Sequence, residues 1–222
     1  MGLYGRWLLP RLLDLAMRNK EATRYRKKTI PEASGRVLEI GAGSGLNLPF
    51  YSSSVTRLYA LDPSETLLNM ARKKHAPASF AVEFLEGSAE EIPLESRSID
   101  TVVTTWTLCT VPDAAKALRE ARRVLRPGGT LLFAEHGHAP DPAVQDWQRR
   151  LNPLWMRIAG GCHLDRRIDQ LIREAGFDIF ELENEYLKGP RPFTYTYCGR
   201  AGAATGIAYC FPCSRAQQSR AA

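Results

Sequence analysis

Along this chain, short and nearly continuous apolar runs alternate with stretches in which apolar residues recur every three or four positions. The runs are Val37-Leu38-Glu39-Ile40, Leu58-Tyr59-Ala60-Leu61-Asp62, Val82-Glu83-Phe84-Leu85-Glu86, Ser98 to Trp106 and Thr130 to Glu135. Runs of this length suit strands covered on both faces. Between them, Leu67, Leu68 and Ala71 within Ser64–Lys74, and Ala117, Leu118, Ala121 and Val124 within Asp113–Leu125, fall on single helical faces. Ser64 is a capping residue with Glu65 in the first turn, and Arg126-Pro127-Gly128-Gly129 stops the second helix. The alternation predicts an α/β fold, a mostly parallel sheet with helices on both faces, whose ligands lie beyond the carboxyl ends of the strands.

The first run ends in an acid and a burst of glycines, Glu39-Ile40-Gly41-Ala42-Gly43-Ser44-Gly45. Glycines let the backbone turn tightly and approach a ligand. A dinucleotide fingerprint would need its third glycine at the position of Leu46, and a carboxylate at Glu39 would repel a pyrophosphate while accepting a proton from an ammonium group. The second run ends at Asp62-Pro63, about 20 residues on, where a ribose-binding acid is expected. On the plainer alternative, both acids only cap helices and the glycines only turn the chain.

Acidic strand end, G-x-G-x-G and second acidic strand end together resemble the class I S-adenosylmethionine (SAM)-dependent methyltransferases, as does Leu125-Arg126-Pro127-Gly128-Gly129 before an apolar strand. The resemblance implies SAM as cofactor and a Rossmann-like, seven-stranded sheet. It adds a helix at Asp165–Ala175, a strand at Phe177–Glu185 and an antiparallel last strand at Phe193–Gly199. It implies that Glu39, Gly41, Gly43 and Gly45 meet the methionine end, Asp62 and Pro63 the ribose, and Ser88 and Ala89 the adenine, with Thr105 and Trp106 at the end of the fourth strand. Ser88 stands where the family commonly has Asp.

A narrower resemblance lies in Thr107-Leu108-Cys109-Thr110-Val111, Glu135-His136 and Gly160-Gly161-Cys162-His163-Leu164, which look like the branch containing the thiol S-methyltransferases. It implies transfer of a methyl group to a small-molecule acceptor, a thiol first. The alternatives are phosphatidylethanolamine, or a non-catalytic SAM-binding protein. His136, at the end of the fifth strand, is the candidate base, since an imidazole titrates near neutral pH. His163 is the second candidate, and the plain role for His136 is to bond loop carbonyls.

The 222 residues suit one domain, with residues 31–199 as the methyltransferase unit, 1–30 as an arm and 200–222 as a loose tail. Residues 1–28 carry eight basic and two acidic side chains, so the arm holds the whole net charge of +6. Basicity confined to an arm argues against a nucleic-acid enzyme. From Pro10 the arm predicts one amphipathic helix, which either covers the cofactor site or makes peripheral contact with an anionic membrane. No apolar run approaches the roughly 20 residues of a membrane span and no export signal is legible, so a cytoplasmic protein is expected. Five irregularly spaced cysteines do not suggest a disulfide scaffold. Cys210-Phe211-Pro212-Cys213 is a lone C-x-x-C without a second pair, so no metal is expected.

Overall fold

The computed structural model describes residues 8–74 and 80–203. Seven strands, β1 (Gly35–Ile40), β2 (Val55–Asp62), β3 (Ala81–Glu86), β4 (Ile99–Thr105), β5 (Leu125–His136), β6 (Phe177–Tyr186) and β7 (Tyr195–Ala203), form one sheet in the order β3-β2-β1-β4-β5-β7-β6. Pairs from β3 to β5 are parallel, and β7 lies antiparallel between β5 and β6. This is the Rossmann-like sheet the sequence predicts. Strand order reverses between β1 and β4, which opens a crevice beyond their carboxyl ends.

In β1, Val37, Leu38, Glu39 and Ile40 are all buried, as a strand covered on both faces requires. Leu38, Ile40, Val102, Leu131 and Phe133 pack on one side with α4 (Ala114–Val124), while Val37, Leu58, Val103 and Leu132 pack on the other. Helix α3 (Glu65–Lys74) starts where Ser64 Oγ accepts the Leu67 amide, and α4 where Asp113 accepts the Lys116 amide. The buried face of α4 includes Ala117, Leu118, Ala121 and Val124, matching the sequence pattern.

The structure differs from expectation at four places. The arm forms two helices, α1 (Leu9–Ala16) and α2 (Lys20–Thr29), because Asn19 turns extended and its side chain accepts the Ala22 amide, starting a second helix. β5 takes in Arg126-Pro127-Gly128-Gly129 as well, with Leu125 paired to Ile99 before an irregularity restores the register at Thr130. β7 continues to Ala203 beyond Gly199, pairing Gly202 with Thr130. Finally, α5 (Pro142–Ile158) occupies a stretch with no expected element, with Pro153 inside it. The helix after it, α6 (Ile168–Glu174), falls inside the expected 165–175. Arm residues 1–7 and the tail from 204, with Cys210 and Cys213, lie outside the described residues.

Candidate active site

Gly41, Gly43 and Gly45 all have positive φ, so the turn after β1 follows a path that side-chain-bearing residues rarely adopt. Gly41 and Ala42 donate their amides to Leu61 O of β2 at 2.8 and 3.0 Å, which ties the turn to the neighbouring strand. A methyl group on Gly41 would come within 3 Å of the Thr107 side chain. At Gly43 the same addition would meet only Gly41 O, at 3.9 Å, so open space faces the turn there.

Two buried carboxyl groups stand at the ends of the strands that the turn joins onto. Glu39 accepts from Asn47 Nδ2 at 2.8 Å and from the Tyr51 hydroxyl at 2.9 Å. Asp62 accepts the backbone amides of Gly43 (2.9 Å) and Ser64 (2.8 Å). Each carboxylate oxygen keeps unused acceptor capacity. Open space beside Gly43, with the Asp62 carboxylate at that turn and the Glu39 carboxyl at the end of β1, fits a ligand that brings hydroxyls and an ammonium, which is the donor set of SAM.

Burial pushes the Glu39 carboxyl up to about 7, against the opposing pull of Tyr51, Asn47 and Arg26. Burial also raises Asp62, while its bonds from Ser64 and Gly43 act the other way. Because the folded-state pKa of Glu39 lies above its ordinary 4.5, its contribution to stability is present below 4.5 and is lost as pH rises through about 7. An ammonium ligand needs the ionised form. We therefore expect SAM affinity to weaken as pH falls below about 7, approaching tenfold per pH unit, and Glu39→Gln to flatten the profile. A wild-type Kd unchanged from pH 8 to pH 6 by calorimetry would refute this role for Glu39.

Ser88 and Ala89 follow β3, and the Ser88 hydroxyl is bonded to the Glu90 carboxylate. Pro63 is exposed beside Asp62. Thr105 Oγ1 accepts from Asn47 Nδ2 at 2.9 Å, which links the end of β4 to the glycine turn. Trp106 sits at φ +50, uncommon for a bulky residue, and its amide reaches Ala134 O at 2.9 Å.

The arm lies over this turn. Asp14 of α1 accepts from Ser44 Oγ and, at 2.7 Å, from Lys74 Nζ. Arg26 of α2 is buried, donates to Asn47 Oδ1 at 2.9 Å, and stands over the Trp106 ring at 5.4 Å. Tyr25 meets the same ring edge-on. Arg24 and Lys28 pair with Glu185 and Glu183 of β6, so part of the arm's positive charge is answered by the sheet itself. Asn47, Tyr51, Arg26 and Asp14 had no assigned role in the sequence. Asn47 stands two residues after Gly45, and that closeness to the glycines is the one signal in the sequence.

At the ends of β4 and β5, Glu135 is fully buried and accepts from Thr104 Oγ1 and the Thr107 amide, thereby capping the turn after β4. The His136 ring lies 2.8 Å from Cys162 Sγ through Nε2. Burial works to lower the His136 pKa, but the Cys162 bond and the neighbouring Glu135 charge outweigh it and raise it. The adjacent Cys109 thiol and burial push the Cys162 thiol up, so that thiol stays protonated at neutral pH. His163 is half-buried and donates its amide to Cys109 O at 2.7 Å. The three segments that carried the narrower resemblance therefore meet in space.

The methyltransferase domain family matches residues 38–133, which span the glycine turn, Asp62, Ser88 and Trp106. A thiol S-methyltransferase of Rattus norvegicus is 36% identical over 170 residues, 73% of this chain and 66% of that protein. A phosphatidylethanolamine N-methyltransferase of Cereibacter sphaeroides is 35% identical over 153 residues, 66% of this chain and 72% of that protein. The chain belongs to the SAM-dependent methyltransferases. Its fold is shared with a chain of the Haloferax volcanii complex between a methyltransferase activator and a methyltransferase, at 18% identity and TM-score 0.67 over 92% of this chain and 99% of that one. This methyltransferase uses SAM as methyl donor, and the match to the rat protein covers about two thirds of that relative's length.

Proposed function

We propose that this methyltransferase transfers its methyl group to a small thiol. The observation that carries the reading is the meeting of Cys109, His136 and Cys162 at the carboxyl ends of β4 and β5, formed from the segments that resemble the thiol-methylating branch. When bound, SAM would supply an electrophilic sulfonium methyl group, whose carbon an acceptor lone pair attacks in line as the carbon–sulfur bond breaks and S-adenosylhomocysteine leaves.

The chain's own residues position and exclude. Glu39 and the Gly41–Gly45 turn hold the methionine end, Asp62 with Pro63 the ribose, and Ser88 with Ala89 the adenine edge. Thr105 and Trp106 form the wall toward the acceptor, and α1 and α2 close over it and exclude water. His136 assists loss of the acceptor's proton. A thiol asks little of it, with an ordinary pKa of about 8.5. Positioning at near-attack distance supplies about 7–11 kcal/mol, more than one proton-transfer group usually gives.

A second reading, methylation of a lipid amine, rests on the Cereibacter relative and on exposed apolar side chains next to the basic arm. Leu12 and Leu15 on α1 and Leu154 and Ile158 on α5 are exposed, with Arg11 and Lys20 nearby in the chain. Among the described residues no helix is long and apolar enough to cross a membrane. The deciding experiment follows S-adenosylhomocysteine production with thiols, amines, phenols, quinols and phosphatidylethanolamine in neutral or anionic vesicles, at low and high salt. We expect the thiols to turn over fastest. Faster turnover of the lipid, dependent on anionic vesicles and suppressed by salt, would replace the thiol reading with the second one. No product with any acceptor would favour a SAM-binding protein without turnover.

A further inference from the structure

Cys109, His136 and Cys162 each offer one ligand atom, and these atoms lie within 4.8 Å of one another. Two thiols and an imidazole form a donor set suited to zinc and neighbouring soft-to-borderline cations. At bond lengths of about 2.3 Å to sulfur and 2.0 Å to nitrogen, a tetrahedral zinc ion holds its ligand atoms about 3.5–3.8 Å apart. The His136–Cys162 separation of 2.8 Å falls short of that range, and all the separations lie within 4.8 Å. The site needs a slight opening at the His136–Cys162 edge.

The surrounding backbone holds these three positions together. Arg166 donates to Leu108 O and Val111 O, which flank Cys109, and His163 donates its amide to Cys109 O. The same loop is fastened to the end of β5 by the His138 amide, which donates to Arg166 O at 2.9 Å. Gly160 and Gly161, both at positive φ, turn the chain out of α5 so that Cys162 points inward. Glu135, next to His136, is buried, and one of its oxygens has no protein partner. No bond in the SAM pocket requires these two thiols.

We propose that Cys109, His136 and Cys162 bind one zinc-class divalent cation and leave a fourth coordination position open. Three protein ligands with one exchangeable position is the arrangement of reactive rather than structural zinc sites. The occupant of that position, a statement that rests on the thiol reading above, is the acceptor's sulfur: a thiol binding there releases its proton to solvent and is held as thiolate. Its location supports this. Cys109 lies two residues from Thr107, against which Gly41 of the cofactor turn packs. His136 then assists proton loss by holding the cation.

The test measures metal on the full chain, in the wild type and with Cys210→Ser and Cys213→Ser together, so that the tail cysteines contribute nothing. After purification with added Zn²⁺ and removal of loose ions on a chelating resin, about one zinc per chain is expected in both. Adding Cys162→Ser or His136→Ala to the tail variant should weaken retention at least about tenfold, whereas Cys198→Ser, a buried thiol bonded to Thr29 instead, should retain it. SAM-induced thermal stabilisation identifies variants that remain folded. Co²⁺ in place of Zn²⁺ gives a readout free of variants: thiolate-to-cobalt charge transfer and intense tetrahedral bands, which shift when ethanethiol is added. Absence of retained metal in the tail variant, retention indifferent to both Cys109→Ser and Cys162→Ser, or a Cys109–Cys162 disulfide under reducing purification would overturn the site. Cobalt bands unmoved by ethanethiol would overturn the open position. If metal binds as described while no thiol is methylated, the metal site stands and the acceptor reading falls.

Discussion

His136→Ala is expected to lower turnover with a thiol acceptor by roughly 10² to 10⁴, with SAM affinity nearly unchanged. The ring stands at the carboxyl end of β5, and its Nε2 is committed to Cys162. It makes no bond to Glu39, Asp62 or the glycine turn, so its removal leaves the donor pocket intact. Truncation also leaves the Cys162 thiol without its partner, so the loss should appear in kcat. His136→Gln, which can still bond a thiol but is a poor proton acceptor and a poor ligand, should recover little. Turnover in the alanine variant equal to wild type at neutral pH would remove His136 from the mechanism and leave positioning as the main source of rate. The same protein with SAM binding abolished would instead mean that the ring supports the donor pocket.

The second large effect concerns Asp62. Asp62→Ala should weaken SAM binding by about 1–3 kcal/mol, roughly 5- to 150-fold in Kd, because ribose hydroxyls in a closed pocket would lose their acceptor. The side chain also accepts the Gly43 and Ser64 amides, so the variant frees two donors at the mouth of the turn and should melt somewhat lower. Measuring the melting temperature without ligand separates the two effects. Asp62→Asn keeps a carbonyl oxygen for one amide and should fall between wild type and alanine. Calorimetry that returned wild-type SAM affinity for a folded Asp62→Ala protein would take the ribose away from this residue.

Much of the donor pocket was legible because it is written in local chemistry. Strand β1 followed by Gly41, Gly43 and Gly45 is a contiguous run, and the acid that ends β2 sits at a spacing set by one turn and one short connection. The adenine-side residues were less legible. Ser88 departs from the family pattern, and the structure has its hydroxyl bonded to Glu90, which nothing in the local sequence announced. The arm divided the two kinds of information most clearly. Its composition suggested one amphipathic helix, but Asn19 splits it in two, and its charges act at a distance: Arg26 on Asn47, Asp14 on Ser44, Arg24 and Lys28 on the glutamates of β6.

The sequence by itself determined the alternation of strand and helix, the buried face of α4, the glycine turn and the two acids beside it. Each depends on periodicity or turn chemistry within about ten residues, where side chains act on their own backbone. Only the tertiary structure brought Cys109, His136 and Cys162 together. Cys109 and Cys162 belong to no spacing motif and each alone reads as an ordinary buried residue, whereas His136 already reads as the candidate base by its place at the end of a strand. They converge because β4 and β5 are parallel neighbours whose carboxyl ends coincide, and because Arg166 and His163 fasten the loop after α5 onto the loop after β4. Pairing between distant segments follows from how whole elements pack, so the glycine turn and its neighbouring acids could be read along the chain while the meeting of Cys109, His136 and Cys162 could not.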